Sequence, residues 1–196
     1  MKILGVAYHD GGRHIVLKSD ASLLNGRKPF FSPEGMCEAA VHPCLVFRIG
    51  RMGKHIEPRF AMRYIDGLAA GLHIEDPQGL ETARKQGRDW TLATAMDGSM
   101  AVGEMATVDE PRDEWKAVFK LYGSVSEIAA GHVRDERTLL LRDKPEEVVA
   151  EISRTITLRQ GDLIFVGTGT APWLCTENNC ISGVLPTGEE VFCKIK

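Results

Sequence analysis

Two neighbouring stretches carry the reading of this chain: HPCLVFRIGR at 42–51 and AMRYIDGLAAGLH at 61–73. In the first, Leu45–Ile49 is a short run of apolar, β-branched and aromatic residues closed by a Gly-Arg pair, which predicts a strand running into a turn. Side chains two apart on a strand point to one face, so His42 and Cys44 share a face. In the second, Glu57-Pro58 puts a proline near a first turn. Phe60, Tyr64, Ile65, Leu68 and Leu72 then recur at roughly helical spacing up to Gly71, so a helix is expected there with His73 at its end.

Further strands are expected at Ile3–Tyr8, Ile15–Lys18, Ala101–Val108, Ala117–Tyr122, Thr138–Arg142, Leu163–Gly167, Ile181–Leu185 and Val191–Ile195, each bounded by Gly, Pro, Asp or Asn. A polar helix is read at Gly79–Gly87. Another runs from Pro145 through Val148, Val149 and Ile152 to Ile156, with Glu146 and Glu147 facing its positive end. Strands and helices mix without βαβ alternation, which places the chain in the α+β class. With 196 residues and 43% hydrophobic content, one domain spanning 1–196 is expected.

Composition narrows the function classes. A net charge of −3, with basic residues scattered among acids, gives no footprint for nucleic acid. No apolar stretch approaches the ~20 residues of a membrane span, and the N-terminus lacks a targeting pattern, so a soluble, unprocessed chain is expected. The cysteines at 37, 44, 175, 180 and 193 are odd in number, which argues against a disulfide framework and for the cytoplasm. Cys175 and Cys180 lack a second pair at zinc-ribbon spacing and read as loop thiols. Trp90, Trp115 and Trp173 read as core or interface anchors.

Five segments in order resemble the fumarylacetoacetate hydrolase superfamily: the two stretches above, LKSDASLLNGRKPFFSP at 17–33, DWTLATAMDGSMAVG at 89–103 and TLRQGDLIFVGTG at 157–169. The last is similar to that family's Gly-Asp-x-Ile-x-x-Gly-Thr-Pro signature. The resemblance implies a fold of several mixed β-sheets wrapped by a few helices, and a homodimer. It implies substrate contacts at Lys18 and Thr168, with Lys18 and Asp97 as the residual catalytic candidates. It also implies a magnesium or manganese site built from a Glu-x-Glu strand and a later Asp.

The departures from that pattern are concentrated at the chemistry. His42 and Cys44 stand at the two glutamate positions and His73 at the aspartate. Thr94 stands at a family Lys, Pro77-Gln78 at an Arg-Asp pair and Gly169 at the Pro of Gly-Thr-Pro. The segment YHDGGRH at 8–14 passes straight into a strand where the family carries a lid helix with a His/Glu acid–base pair. Magnesium prefers hard oxygen donors, so losing all three carboxylates removes its site. Three readings stay open. His42, Cys44 and His73 could form a two-nitrogen, one-sulfur set for zinc or iron; Cys44 could be a thiolate nucleophile beside an imidazolium; or the three are packed side chains and the centre is silent. Lys18 also reads as a solvated strand-end charge and Asp97 as a turn residue. The expected function is a divergent homologue that binds a small oxo acid without magnesium-dependent hydrolysis. The alternative is an acylpyruvate hydrolase or decarboxylase working through the rebuilt His/Cys/His site.

Overall fold

The run Ile65–Glu75, IDGLAAGLHIE, is buried at ten of its eleven positions, on both faces. A segment buried on both sides carries no alternation, and its Leu and Ala spacing satisfies a helical period as well as a strand. It is an eleven-residue strand, and the helix expected over this stretch is confined to Pro58–Ala61 with a 3₁₀ turn at Met62–Tyr64. Gly67 and Gly71 favour this outcome. A side chain at Gly71 would meet Val46 Cγ2 at 2.5 Å, so the close strand pairing needs glycine there.

The computed structural model describes residues 1–9, 12–108 and 114–196. Its strands are β1 (Ile3–His9), β2 (Gly12–Lys18), β3 (Leu23–Asn25), β4 (Ala39–Ile49), β5 (Ile65–Glu75), β6 (Met100–Val102), β7 (Ala106–Thr107), β8 (Lys116–Tyr122), β9 (Asp135–Leu140), β10 (Leu163–Gly167), β11 (Trp173–Cys175), β12 (Cys180–Val184) and β13 (Glu190–Lys194). The helices are α1 (Pro58–Ala61), α2 (Pro77–Lys85), α3 (Thr91–Thr94), α4 (Val125–Ala129) and α5 (Pro145–Thr155). The large sheet runs β2-β1-β10-β4-β5-β6-β3, with β11 added to β4 and β7 to β5; the small one runs β13-β12-β8-β9. The α+β class expected from the sequence holds. The stretch expected as one strand at Ala101–Val108 is instead divided between β6 and β7. Among the described residues, no helix is long and apolar enough to cross a membrane.

The main core lies around β4 and β5, where Leu45, Phe47, Leu68 and Leu72 are 0–1% exposed. Helix α5 closes one side with Val148, Val149 and Ile152 buried, and Pro145 opens it. On the other face of the sheet, Ile3, Cys44, Val46, Met100 and Phe165 form a second apolar cluster. Trp115 and Trp173 are buried in the main core, as anchors should be.

Candidate functional site

Strand pairing brings the singled-out residues together. In the β4–β5 register His42 is opposite His73, Cys44 opposite Gly71 and Ala40 opposite Glu75, so all of them share one sheet face. The rings of His42 and His73 are 5.6 Å apart, and Phe165 of β10 stacks on His73 at 4.8 Å and 26°. His42, Cys44, His73, Phe165 and Thr168 line one inner cavity with only about 10 Å³ of free space, room for about one water. An outer cleft of about 250 Å³ shares Tyr8 and His42 with it and adds His9, Glu75 and Arg84.

The centre of the cluster is a residue the sequence did not single out. Glu75 is 1% exposed, and its carboxylate accepts from His73 Nε2 at 2.6 Å. His42 Nε2 lies 3.1 Å from its other oxygen, and His9 Nε2 approaches to 3.2 Å without hydrogen-bond alignment. Burial works to raise the Glu75 carboxyl, but the three imidazoles, His73 foremost, outweigh it and hold the group well below the usual carboxylate range. Burial, reinforced by the charge of Lys18, pushes His73 down to about 3. The neutral ring thus gives its Nε2–H to Glu75 and leaves Nδ1 without a hydrogen-bond partner. A His-x-Glu alternation at 73–75 was the available signal. Ending a helix at His73 hid it, because the face that His73 and Glu75 share exists only if 65–75 is one continuous strand.

Lys18 is not a solvated strand end. It is 1% exposed, and its Nζ donates to the Ser99 carbonyl and hydroxyl at 2.8 Å each, and to the Ile74 carbonyl at 3.5 Å. Burial pulls its pKa down to about 7. Asp97 is exposed in the turn closed by Gly98, whose φ is +68°, and lines neither cavity. Thr94 spends its hydroxyl on the carbonyls of Trp90 and Thr91. Of the segment at 8–14, Asp10 and Gly11 lie outside the described residues. β1 ends at His9 and β2 starts at Gly12, and the two pair antiparallel from His9 opposite Gly12 onward. Residues 173–175 extend the sheet along β4, and Pro172 lines the outer cleft.

These donors do not suit the ions the resemblance implies. Magnesium or manganese needs hard oxygens, and positions 42, 44 and 73 offer nitrogen, sulfur and nitrogen. Among the described residues, no group of three or more His, Cys, Asp or Glu side chains is arranged to hold a metal ion as it stands.

A sequence model of the fumarylacetoacetate (FAA) hydrolase C-terminal family matches residues 8–194. The chain belongs to the fumarylacetoacetate hydrolase family. It is 29% identical over 149 residues to the mitochondrial oxaloacetate tautomerase FAHD1 of Mus musculus, covering 76% of this chain and 65% of that protein. It is 26% identical over 151 residues to human oxaloacetate tautomerase FAHD2B, covering 76% and 44%. It therefore spans less than two thirds of either relative. Among solved structures, fumarylpyruvate hydrolase from Pseudomonas aeruginosa, in complex with Mn²⁺ and pyruvate, superposes with a TM-score of 0.80 at 21% identity, covering 99% of this chain and 88% of that one. The 5-carboxymethyl-2-hydroxymuconate delta-isomerase of Mycobacterium smegmatis gives 0.81 at 20% identity, covering 99% and 76%.

Within this family member, Cys44 has the wrong environment for a free nucleophile. Burial pushes its thiol up to about 12, and the nearby charge of Lys18 only partly offsets this. Cys175, Cys180 and Cys193 are buried too, while Cys37 is exposed. Titration of the native protein with a thiol reagent should therefore report one rapidly reacting cysteine, absent in Cys37→Ser, and all five after unfolding. Fast native labelling of Cys44 would mean that its pocket opens.

Proposed function

We propose that this chain is a divergent fumarylacetoacetate hydrolase family protein that binds a small oxo acid and lacks magnesium-dependent hydrolase activity. The observation that carries this reading is the capture of Glu75. The buried carboxylate near the former ligand positions is engaged by imidazoles at 2.6–3.2 Å and is not open to a hard cation. The short β1–β2 connection and the outer cleft of about 250 Å³ support an open pocket without a lid helix. Thr168, which lines the inner cavity, is its expected substrate contact, whereas the buried Lys18 lines neither cavity and is left a supporting role beneath Ser99. Five free thiols are in keeping with a cytoplasmic or otherwise reducing setting, and family resemblance favours a homodimer.

A second reading, a hydrolase or decarboxylase of acylpyruvate-type substrates, is favoured by one observation. Ring nitrogens of His9, His42 and His73 surround a carboxylate, a donor set that zinc or iron accepts. In this version Glu75 and His9 take the place given to Cys44 in the His42/Cys44/His73 set, and an entering ion would have to displace the imidazole–carboxylate contacts. Elemental analysis of protein purified without added metal or chelator separates the two. The binding reading expects substoichiometric metal and no turnover of oxaloacetate or an acylpyruvate with Mg²⁺, Mn²⁺, Zn²⁺ or Fe²⁺. It is lost if stoichiometric zinc or iron is found and disappears in His73→Ala together with turnover.

A further inference from the structure

We infer that Arg142 is the carboxylate anchor of the pocket, working with the hydroxyls of Thr168 and Thr170. The inference rests on the oxo-acid reading above and assigns the residue that selects the charge of the ligand. Arg142 follows β9 and is exposed. Its guanidinium carbon lies 5.0 Å from the centroid of the Tyr8 ring, which lines both the inner cavity and the outer cleft. Thr168 and Thr170 line the inner cavity beside it. Their hydroxyls are 2.7 Å apart, and the Thr168 oxygen also accepts weakly from the Thr170 amide at 3.3 Å.

Two features show a guanidinium kept available. The acid that follows it in the chain is committed elsewhere. Arg13 takes Asp143 through Nε and Glu151 through Nη2 at 2.6 Å, and among the described residues no carboxylate forms an ion pair with Arg142. The second feature is Gly169, the residue standing at the family's proline. Its φ of +71° is closed to proline, and a Cβ there would lie 3.1 Å from Arg142 Cδ and 3.4 Å from its Nη1. A side chain at 169 would thus press on Arg142 where it lies over Tyr8. A planar guanidinium held over an aromatic face, with hydroxyl donors alongside, suits a carboxylate, and a charge-assisted pair there contributes more than a neutral hydrogen bond. The ligand class is a short 2-oxo or dicarboxylic acid, with its carboxylate on the rim and its oxo group toward His42.

The test is calorimetric titration of the full chain with oxalate, pyruvate and neutral pyruvamide. Arg142→Met should weaken oxalate and pyruvate by about tenfold or more, with Arg142→Lys intermediate. Gly169→Ala should weaken them while leaving every charge in place, and pyruvamide should bind alike to all variants. Arg142 is exposed, so unchanged melting temperatures should show the Arg142 variants folded, and pyruvamide binding should show the same for Gly169→Ala. If the wild type binds the acids and Arg142→Met binds them equally well, the anchor is overturned and the oxo-acid reading stands. Should the wild type bind none of the three probes, both fail together.

Discussion

Acidification from pH 7 to pH 4 should lower the stability of this protein steeply, and raising the pH toward 9 should increase it. His73 is held near 3 in the fold against an ordinary value of 6.5. Between those limits the unfolded chain binds a proton that the native state refuses, so stability is full above 6.5 and falls as pH drops. The loss by pH 4 is on the order of 3 kcal/mol, a large part of the ~5–15 kcal/mol that holds a typical domain together. Glu75 acts in the same direction below its ordinary 4.5, because its folded value is depressed and its contribution is lost on protonation.

Lys18 governs the neutral side. Its folded value of about 7 lies below the ordinary 10.5, so the unfolded chain holds the extra proton across that window and stability rises with pH. Cys44, Cys175 and Cys193, each raised from 9 to about 12, reverse the trend above pH 9, where the unfolded thiols ionise first. Urea midpoints measured across this range should form a dome centred at roughly pH 8–9. A flat curve between pH 4 and 7 would show that His73 and Glu75 are not buried as described.

Gly5→Ala should be the most damaging one-carbon addition. Gly5 sits on β1 opposite Phe165 of β10, and a Cβ there would lie 2.2 Å from the Phe165 carbonyl oxygen and 2.3 Å from its ring. Backbone cannot yield as a flexible side chain can, so either β1 separates from β10 or Phe165 leaves its place. The expected cost is about 3 kcal/mol or more. Phe165 stacks on His73, so the damage should reach the cluster and also flatten the acid limb of the stability curve. A variant that melts within a degree or two of the wild type would mean the two strands tolerate a wider spacing.

The family pattern was legible in linear order because it consists of local signals: the strand running into Gly50, the turn at 160–162 with Gly161 at φ +85°, and the Pro-initiated α5 with acids in its first turn. Positions 42 and 44 share a face as their i, i+2 spacing requires. The helix expected from Glu57-Pro58 up to Gly71 failed beyond Tyr64 because burial on both faces erases the period on which such a reading depends. That one error concealed Glu75, which shares a face with His73 only if the segment is extended.

The sequence by itself determined the α+β class, the family, and the absence of three carboxylates where a hard metal would need them, since residue identity at a motif position is independent of packing. Only the tertiary structure decided what those positions do. It set β1 beside β10, next to the β4–β5 pair in one sheet, so that His9 joins His42 and His73 around Glu75, and it buried Lys18 and Cys44. It also placed Arg142 over Tyr8, from a segment more than a hundred residues away in the chain. Charge state follows burial and neighbours, and both are products of long-range strand register, which short-range periodicity does not encode.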